Sequence, residues 1–554
     1  MPQPDNHYSR PIGAVYVFNL MIGTGALTLP LAFSQAGLTF GLVTFMILSL
    51  FSFITLTWVI ESMATANAIL KNEEEERQVN GSRHSDDLVD RDQQDEDREN
   101  SMQHSYTDSH TTIGSDRPLL SSQNTLKFDI EERVELGKMA ALFFNKIGLI
   151  FFYLCIIIYL YGDLAIYAAA VPKNLRDLLC PYHAISIPSQ IQSPNADLCW
   201  SPNTNSSTIL NMFLSESKNS RIFVYKLCLI VFIIFIGPFT FFNVEKTKFL
   251  QIFTTIFRFL AFLSMIGIAS FRVSTGEGKG KPDYLGNIHG LPMLFGCSIY
   301  SFMNHHSLPG IVTPIKDKSK LMIDIGLVYL IILTAYSLLC VTAVLCFDNN
   351  LLEDMYTLNF INDSQLGENY KHLKYFFGLF PVLTLGTSFP IIAVTLCNNL
   401  RSLFDLIFPH QRNSNNNTYR MVSIDSDNHR RTDKCIKFFT VSFNSIGVPL
   451  LTIIPPTIIA FSSSNLEKLV ALTGSYAGAG IQYLIPAFLV IASRRYVADK
   501  FGVNWSLRNR HKSPFYRFSY ICLTLVWCLI CIVFVTLDQK DGLKEFDMQS
   551  GYLR

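Results

Sequence analysis

Two stretches of this sequence place polar and conformationally permissive residues inside long apolar runs, where ordinary helix packing has no need of them. The first reads Asn19-Leu-Met-Ile22-Gly23-Thr24-Gly25-Ala26-Leu27, followed by Leu29-Pro30. Two glycines around a threonine let a helix unwind without a side-chain clash. Unwinding exposes amide N–H groups on one half-helix and carbonyls on the other. The N–H groups, with the helix dipole behind them, suit a carboxylate, and the carbonyls with Asn19 and Thr24 suit a small cation. The second stretch contains Gly296, Ser298, Ser301 and Asn304 in a run that Pro309-Gly310 ends. Small residues also let helices pack closely in a membrane, so each stretch alone has a structural reading as well. Their occurrence at corresponding positions, five spans apart, favours a site.

Charges inside apolar runs supply independent chemistry, because each is costly unless paired or hydrated. Asp163 lies well within one run and Arg258 near the middle of another. A simple expectation pairs them across the bundle, as a structural ion pair or with Asp163 as counter-ion or proton carrier. The string Tyr161-Gly162-Asp163 is a faint match to an intramembrane aspartyl protease, but that chemistry needs a second aspartate, and no other span centre supplies one. Cys528-Leu-Ile-Cys531 has metal-ligand spacing but lies in an apolar helix with no further ligands, so no metal or other cofactor is expected. His305-His306 are expected to face solvent at the inner mouth rather than titrate functionally.

The elements that must hold these residues are membrane helices. Of 554 residues, 49% are hydrophobic and only 16% charged, with 44 Phe and a formal net charge of +1. A soluble domain carries about 25% charged residues. The composition excludes a soluble enzyme, and the near-neutral balance excludes nucleic acid as a partner. Apolar runs predict eleven transmembrane helices at 11–36, 38–63, 147–172, 222–243, 249–271, 287–312, 322–347, 374–397, 437–460, 467–493 and 518–538. The fold class is therefore an all-α polytopic membrane protein in the lipid bilayer. Interrupted helices opening two halves suggest a 5+5 inverted repeat: 11–63 with 147–271, then 287–493, with 518–538 as an extra helix.

Roughly two thirds of the 45 Lys and Arg fall on one side when the N-terminus is cytosolic, which orients the chain that way. Residues 1–10, 64–146 and 398–436 are then cytosolic, while 173–221 and the tail 539–554 are luminal or extracellular. The insert 64–146 is rich in acids between 71 and 117 and is expected to be disordered there. Residues 130–145 suit an amphipathic surface helix. Cys180 and Cys199 share the loop 173–221 and form a plausible disulfide. Asn205 and Asn362 begin usable glycosylation sequons, giving a glycoprotein. The strings 116–120 (Asp-Arg-Pro-Leu-Leu) and 419–422 (Tyr-Arg-Met-Val) fit sorting signals read by adaptor proteins, so residence is expected in the endolysosomal (lysosome) or plasma membrane.

Phe18-Asn19…Gly23-Thr24-Gly25…Leu29-Pro30…Phe33…Gly37, taken with Phe302-Met-Asn-His-His-Ser-Leu-Pro…Thr313-Pro314, resembles the signature of the amino acid/auxin permease family, within the larger group sharing the LeuT-type fold. The resemblance covers the spans from 11 to about 538. It implies eleven helices and amino-acid transport driven by sodium or protons. By the same resemblance, Asn19 matches an asparagine that helps hold sodium in sodium-coupled members. Ile22, Gly23, Thr24, Gly25 and Ala26 match the segment facing the substrate, with Gly296, Ser298 and Ser301 opposite. The hydroxyl partner on the eighth helix is expected at Thr384, with Thr387 or Ser388 next.

The expected function is thus a secondary active transporter of neutral amino acids, a symport by alternating access around broken helices 1 and 6, and not an enzyme. The alternative is a non-transporting amino-acid sensor or scaffold, in which the acidic insert docks a signalling partner.

Overall fold

The computed structural model describes residues 7–100, 127–180, 221–241, 248–362, 371–408, 446–502 and 508–551, and nearly all of its regular structure is helical. The first apolar run is two helices, α1 (Arg10–Met21) and α2 (Thr24–Ala36), bent by 56° at the intervening residues. Then follow α3 (Leu38–Asn100), the short α4 (Leu136–Phe143), α5 (Lys146–Leu179), α6 (Arg221–Ile236) and α7 (Lys248–Ser274). The second half repeats the break. It begins with α8 (Leu291–Ser301) and α9 (Leu308–Val312), which are separated by an irregular segment, and continues with α10 (Leu321–Cys346). A short α11 (Tyr356–Ile361) precedes α12 (Lys371–Ile407) and α13 (Val448–Ser462). The chain ends with α14 (Leu466–Thr473), two π-helical turns, α15 (Ile485–Phe501) and α16 (Phe518–Gly551).

Among the described residues, eight helices are long and apolar enough to cross a membrane, or nine when the bent pair α1–α2 is one span. Two of the eleven expected runs are not among them. The sixth is cut at residues 302–307, so α8 and α9 are each too short alone. The ninth lies partly outside the described residues; its described helix, α13, has 15 residues and carries Pro455 and Pro456 in its interior, where each ring removes a ladder donor.

The 64–146 insert also differs from expectation. Helix α3 runs on past the membrane-length segment Leu38–Arg77 to Asn100, through Glu, Arg and Gln residues with good intrinsic helix propensity. Where the chain returns, Asn67 Oδ1 accepts the backbone N–H groups of Glu131 and Glu132 at 3.2 and 2.8 Å, and Lys71 pairs with Glu131 at 2.8 Å. α4 then buries Leu136, Met139 and Ala140, as its amphipathic sequence requires. α16 continues past 539 to Gly551 and α12 past 398 to Ile407, so both expected non-membrane segments begin as helix.

Packing brings the broken helices to the centre. α2 lies against α8, α10 against α2 and α7, and α5 along α12. Large apolar side chains such as Ile234, Phe235, Leu263, Leu330 and Leu529 remain exposed on the outside, the surface a protein presents to lipid tails. Helix ends alternate between two faces: one carries residues 7–10, the other the far ends of α2 and α5.

Candidate functional site

Gly23 is where the first span divides. Its φ of −133° and ψ of −156° are extended, and it heads α2 without any side-chain cap. The first N–H groups of a helix have no intrahelical acceptor, so those of α2 point toward whatever lies ahead. Ahead of them is space: a Cβ built on Gly23 meets nothing within 4 Å. Two residues on, the opposite holds. A Cβ on Gly25 would come within 2.6 Å of Ser301 Oγ and 3.0 Å of Ser301 Cα, so glycine is what lets α2 lie directly on α8.

The space ahead of Gly23 is a cavity of about 980 Å³ reaching the face that carries residues 7–9. Gly23, Thr24 and Gly25 line it with Asn19, Asp163 and Arg258, and aromatic side chains close it: Tyr159, Tyr167 and Tyr300. Asp163 on α5 is 5% exposed and accepts a hydrogen bond from the Tyr300 hydroxyl. With that proton committed, Tyr300 can only accept from Thr24 Oγ1, 3.1 Å away. A carboxylate on α5 is thereby linked through α8 to the first residue of α2.

Arg258 on α7 stands elsewhere in the same cavity. It donates to the Asn19 carbonyl at 3.1 Å and to Ser388 Oγ at 3.4 Å. Asn19 lies in the last turn of α1, where carbonyls lose their helical partners and the dipole is negative, so a guanidinium is well placed there. Asp163 and Arg258 therefore have separate partners, and among the described residues no ion pair joins them; the Tyr300 hydroxyl and the α1 terminus take the roles that direct pairing was expected to fill.

The two breaks are braced from neighbouring helices. Tyr336 on α10 donates to the Met21 carbonyl at 2.8 Å and stands 3.4 Å from that of Ser301. Ser52 on α3 reaches the Phe302 carbonyl at 3.3 Å, and Tyr329 on α10 donates to Asn304 Oδ1 at 3.2 Å. Thr55 donates to its own helix at Phe51 and Ser52, so His305 Nε2, 2.9 Å from Thr55 Oγ1, is the donor of that pair. His305 is thus a buried brace instead of a solvent-facing residue, and its neighbour His306 lines the cavity with its ring 5.6 Å from that of Tyr159.

On the opposite face, among the described residues, polar groups hold the helix ends. Lys173 pairs with Asp354 Oδ1 at 2.5 Å, both 11% exposed, while Asp354 Oδ2 accepts the N–H of Leu466 at 2.9 Å. Gln35, near the end of α2, donates to Glu467 at 3.5 Å.

Among the residues singled out from sequence, Gly23, Thr24, Gly25, Asn19, Ser388, Asp163 and Arg258 share the cavity. Ile22, Ala26, Gly296, Ser298 and Ser301 are buried outside its lining. Gly296 instead serves helix packing, since a Cβ there would lie 2.3 Å from the Ala471 carbonyl. Thr384 and Thr387 donate to the carbonyls of Phe380 and Leu383 in their own helix, both at 2.8 Å. Asn362 is partly buried and donates to Glu353 at 3.5 Å. Cys180 is disulfide-bonded, whereas Cys199, Asn205 and the strings 116–120 and 419–422 lie outside the described residues. Tyr300, Tyr159 and Tyr167 were not singled out from sequence, because aromatic residues in an apolar run carry no spacing signal that separates cavity from core.

Residues 8–78 and 204–537 match the family described as transmembrane amino acid transporter protein. Relatives named transmembrane protein 104 are similar along almost the whole chain: that of Gallus gallus is 42% identical over 545 residues, and that of Homo sapiens 40% over 543, each covering 96% of both chains. The Dictyostelium discoideum homolog is 33% identical over 562 residues, covering 97% of this chain and 98% of its own. A matching family pattern over both halves of the bundle, and relatives aligned from end to end, make this chain a member of the transmembrane amino acid transporter family, a multi-pass membrane protein and not an enzyme.

Proposed function

We propose that the protein is a secondary active transporter of neutral amino acids, working by alternating access around the breaks α1–α2 and α8–α9. Counting α8–α9 and α13 as spans gives eleven, a LeuT-type 5+5 repeat with α16 added, and the Lys/Arg distribution makes the face bearing residues 7–9 cytosolic. The cavity then corresponds to an inward-facing state. The observation that carries the reading is the uncapped start of α2 opening into a space shared with Asp163 and Arg258. Free N–H groups with a positive dipole end take the substrate carboxylate. A helix break is tolerated at membrane depth only where it is buried in protein or lines a cavity, and this one lines a cavity.

Arg258 bears on the coupling ion. Its guanidinium lies between the Asn19 carbonyl and Ser388, among the residues the family resemblance assigns to sodium. A second cation about 4 Å away would meet repulsion of about 4 kcal/mol at an effective dielectric of 20. Together with the permanent charge of arginine, this favours protons over sodium. Counterflow of an amino-acid panel in liposomes, with sodium and pH varied independently, tests both parts. Binding without accumulation would turn the reading to that of a sensor.

A further inference from the structure

We infer that Asp163 holds the substrate's ammonium group and so makes an N–H-bearing amine a requirement for binding, an inference that rests on the transport reading of this cavity. In a broken-helix site, backbone carbonyls at the breaks are the obvious acceptors for an ammonium. Here many of them already accept. Asn19 O takes Arg258, Met21 O takes Tyr336, Gly25 O takes Thr28 Oγ1 at 2.9 Å, and Phe302 O takes Ser52. The Ser301 carbonyl is within 3.4 Å of the same Tyr336 hydroxyl.

Asp163 has capacity left. Its Oδ1 accepts from Tyr300, and Oδ2 has no partner among the described residues. No Lys or Arg side chain pairs with it there, although a buried carboxylate lacking a cationic partner is expensive. The carboxylate lines the cavity and is tied through Tyr300 to Thr24 at the head of α2. One α-amino acid can therefore place its carboxylate on the free N–H groups of α2 and its ammonium on Asp163. Arg258 remains with Asn19 and Ser388, so it does not neutralise Asp163 when the solute arrives. The class recognised is a zwitterion with a primary or secondary ammonium. Carboxylic acids without the amine, and trimethylated analogues without an N–H donor, are excluded.

The test is ligand-induced thermal stabilisation of the full-length protein in detergent micelles. The probes are neutral amino acids, the same compounds lacking the amine, and their N-trimethyl derivatives. In the wild type only the first class should raise the melting temperature. In Asp163→Asn the amino-acid concentration needed should rise by about tenfold or more, the effect of losing a charge-assisted hydrogen bond, while Asp163→Glu should retain part of the response. Wild-type stabilisation by the deaminated or trimethylated compounds equal to that by the amino acids would overturn the inference without any variant. An unchanged concentration dependence in Asp163→Asn would overturn it too. Failure of every amino acid to stabilise the wild type would instead strike at the transport reading beneath it.

Discussion

The hydroxyl of Tyr336 joins the two broken helices, donating to the Met21 carbonyl at 2.8 Å and lying 3.4 Å from the Ser301 carbonyl. Both carbonyls end a half-helix, α1 in one case and α8 in the other, and both are buried with Tyr336 itself fully enclosed. Tyr336→Phe keeps the ring and its packing against Phe302 but leaves these acceptors without a donor. A buried polar group left unpaired costs about 1–3 kcal/mol. The variant should melt at lower temperature than the wild type and show weaker counterflow. An unchanged melting temperature would mean that the breaks do not depend on α10.

Glycines 23 and 25 are separated by one residue and should respond oppositely to a methyl group. At Gly25 the new Cβ would approach Tyr300 Cδ1 to 2.7 Å and Ser301 Cα to 3.0 Å. Since Ser301 Cα is backbone, the whole of α8 must shift away, and overpacking of this sort costs about 1–3 kcal/mol. Gly25→Ala should therefore lose thermal stability and transport together. Gly23→Ala adds its methyl to open space at an extended backbone angle, and should fold with wild-type stability. Melting curves of the two variants side by side decide the matter.

Sodium should be dispensable. With Arg258 lodged between Asn19 and Ser388, replacing sodium by a large organic cation at constant pH should leave counterflow unchanged. Arg258→Gln removes the charge from the end of α1 and the donor to Asn19, so it should reduce counterflow strongly. A wild-type rate that falls when sodium is withdrawn would refute the assignment of Arg258 as the resident cation.

The membrane class and the first break were legible in the sequence because both arise from local causes. Apolar runs of span length mark helices, and Gly23-Thr24-Gly25 marks where one must divide. The site was most legible on α1, α2, α5 and α7, where glycine or charge departs from the apolar background. On α8 the same reasoning chose Gly296, Ser298 and Ser301, yet Tyr300 is the residue that reaches Asp163. Which side of a helix faces a cavity depends on its rotation in the bundle, and Gly296 turns out to be occupied with the Ala471 backbone. Of the eighth-span hydroxyls named from sequence, Thr384 faces the core, while Ser388, one turn further on, lines the cavity. Glu467, at the start of α14, was not among the residues singled out from sequence. It is 5% exposed and hydrogen-bonded to Gln35, a placement that depends on how α2 and α14 meet.

The face away from the cavity offers a double test. Lys173 and Asp354 form a largely buried pair, and Asp354 also accepts the N–H of Leu466 at the start of α14. Breaking such a pair from one side leaves an uncompensated charge, a loss of about 3–5 kcal/mol where burial is complete. Lys173→Met should therefore lower the melting temperature substantially, with Asp354 stranded. Adding Asp354→Asn removes the stranded charge while keeping an oxygen that can still accept from Leu466. The double variant should recover much of the loss, so the two changes should be strongly non-additive. Because the pair ties the end of α5 to the start of α14 through Asp354, the single variant should also favour opening on this face. A cysteine placed at Gln35 should then be labelled faster by a membrane-impermeant thiol reagent in the Lys173→Met background than in the wild type. Equal labelling together with additive melting shifts would reduce the pair to a local contact with no part in sealing this side.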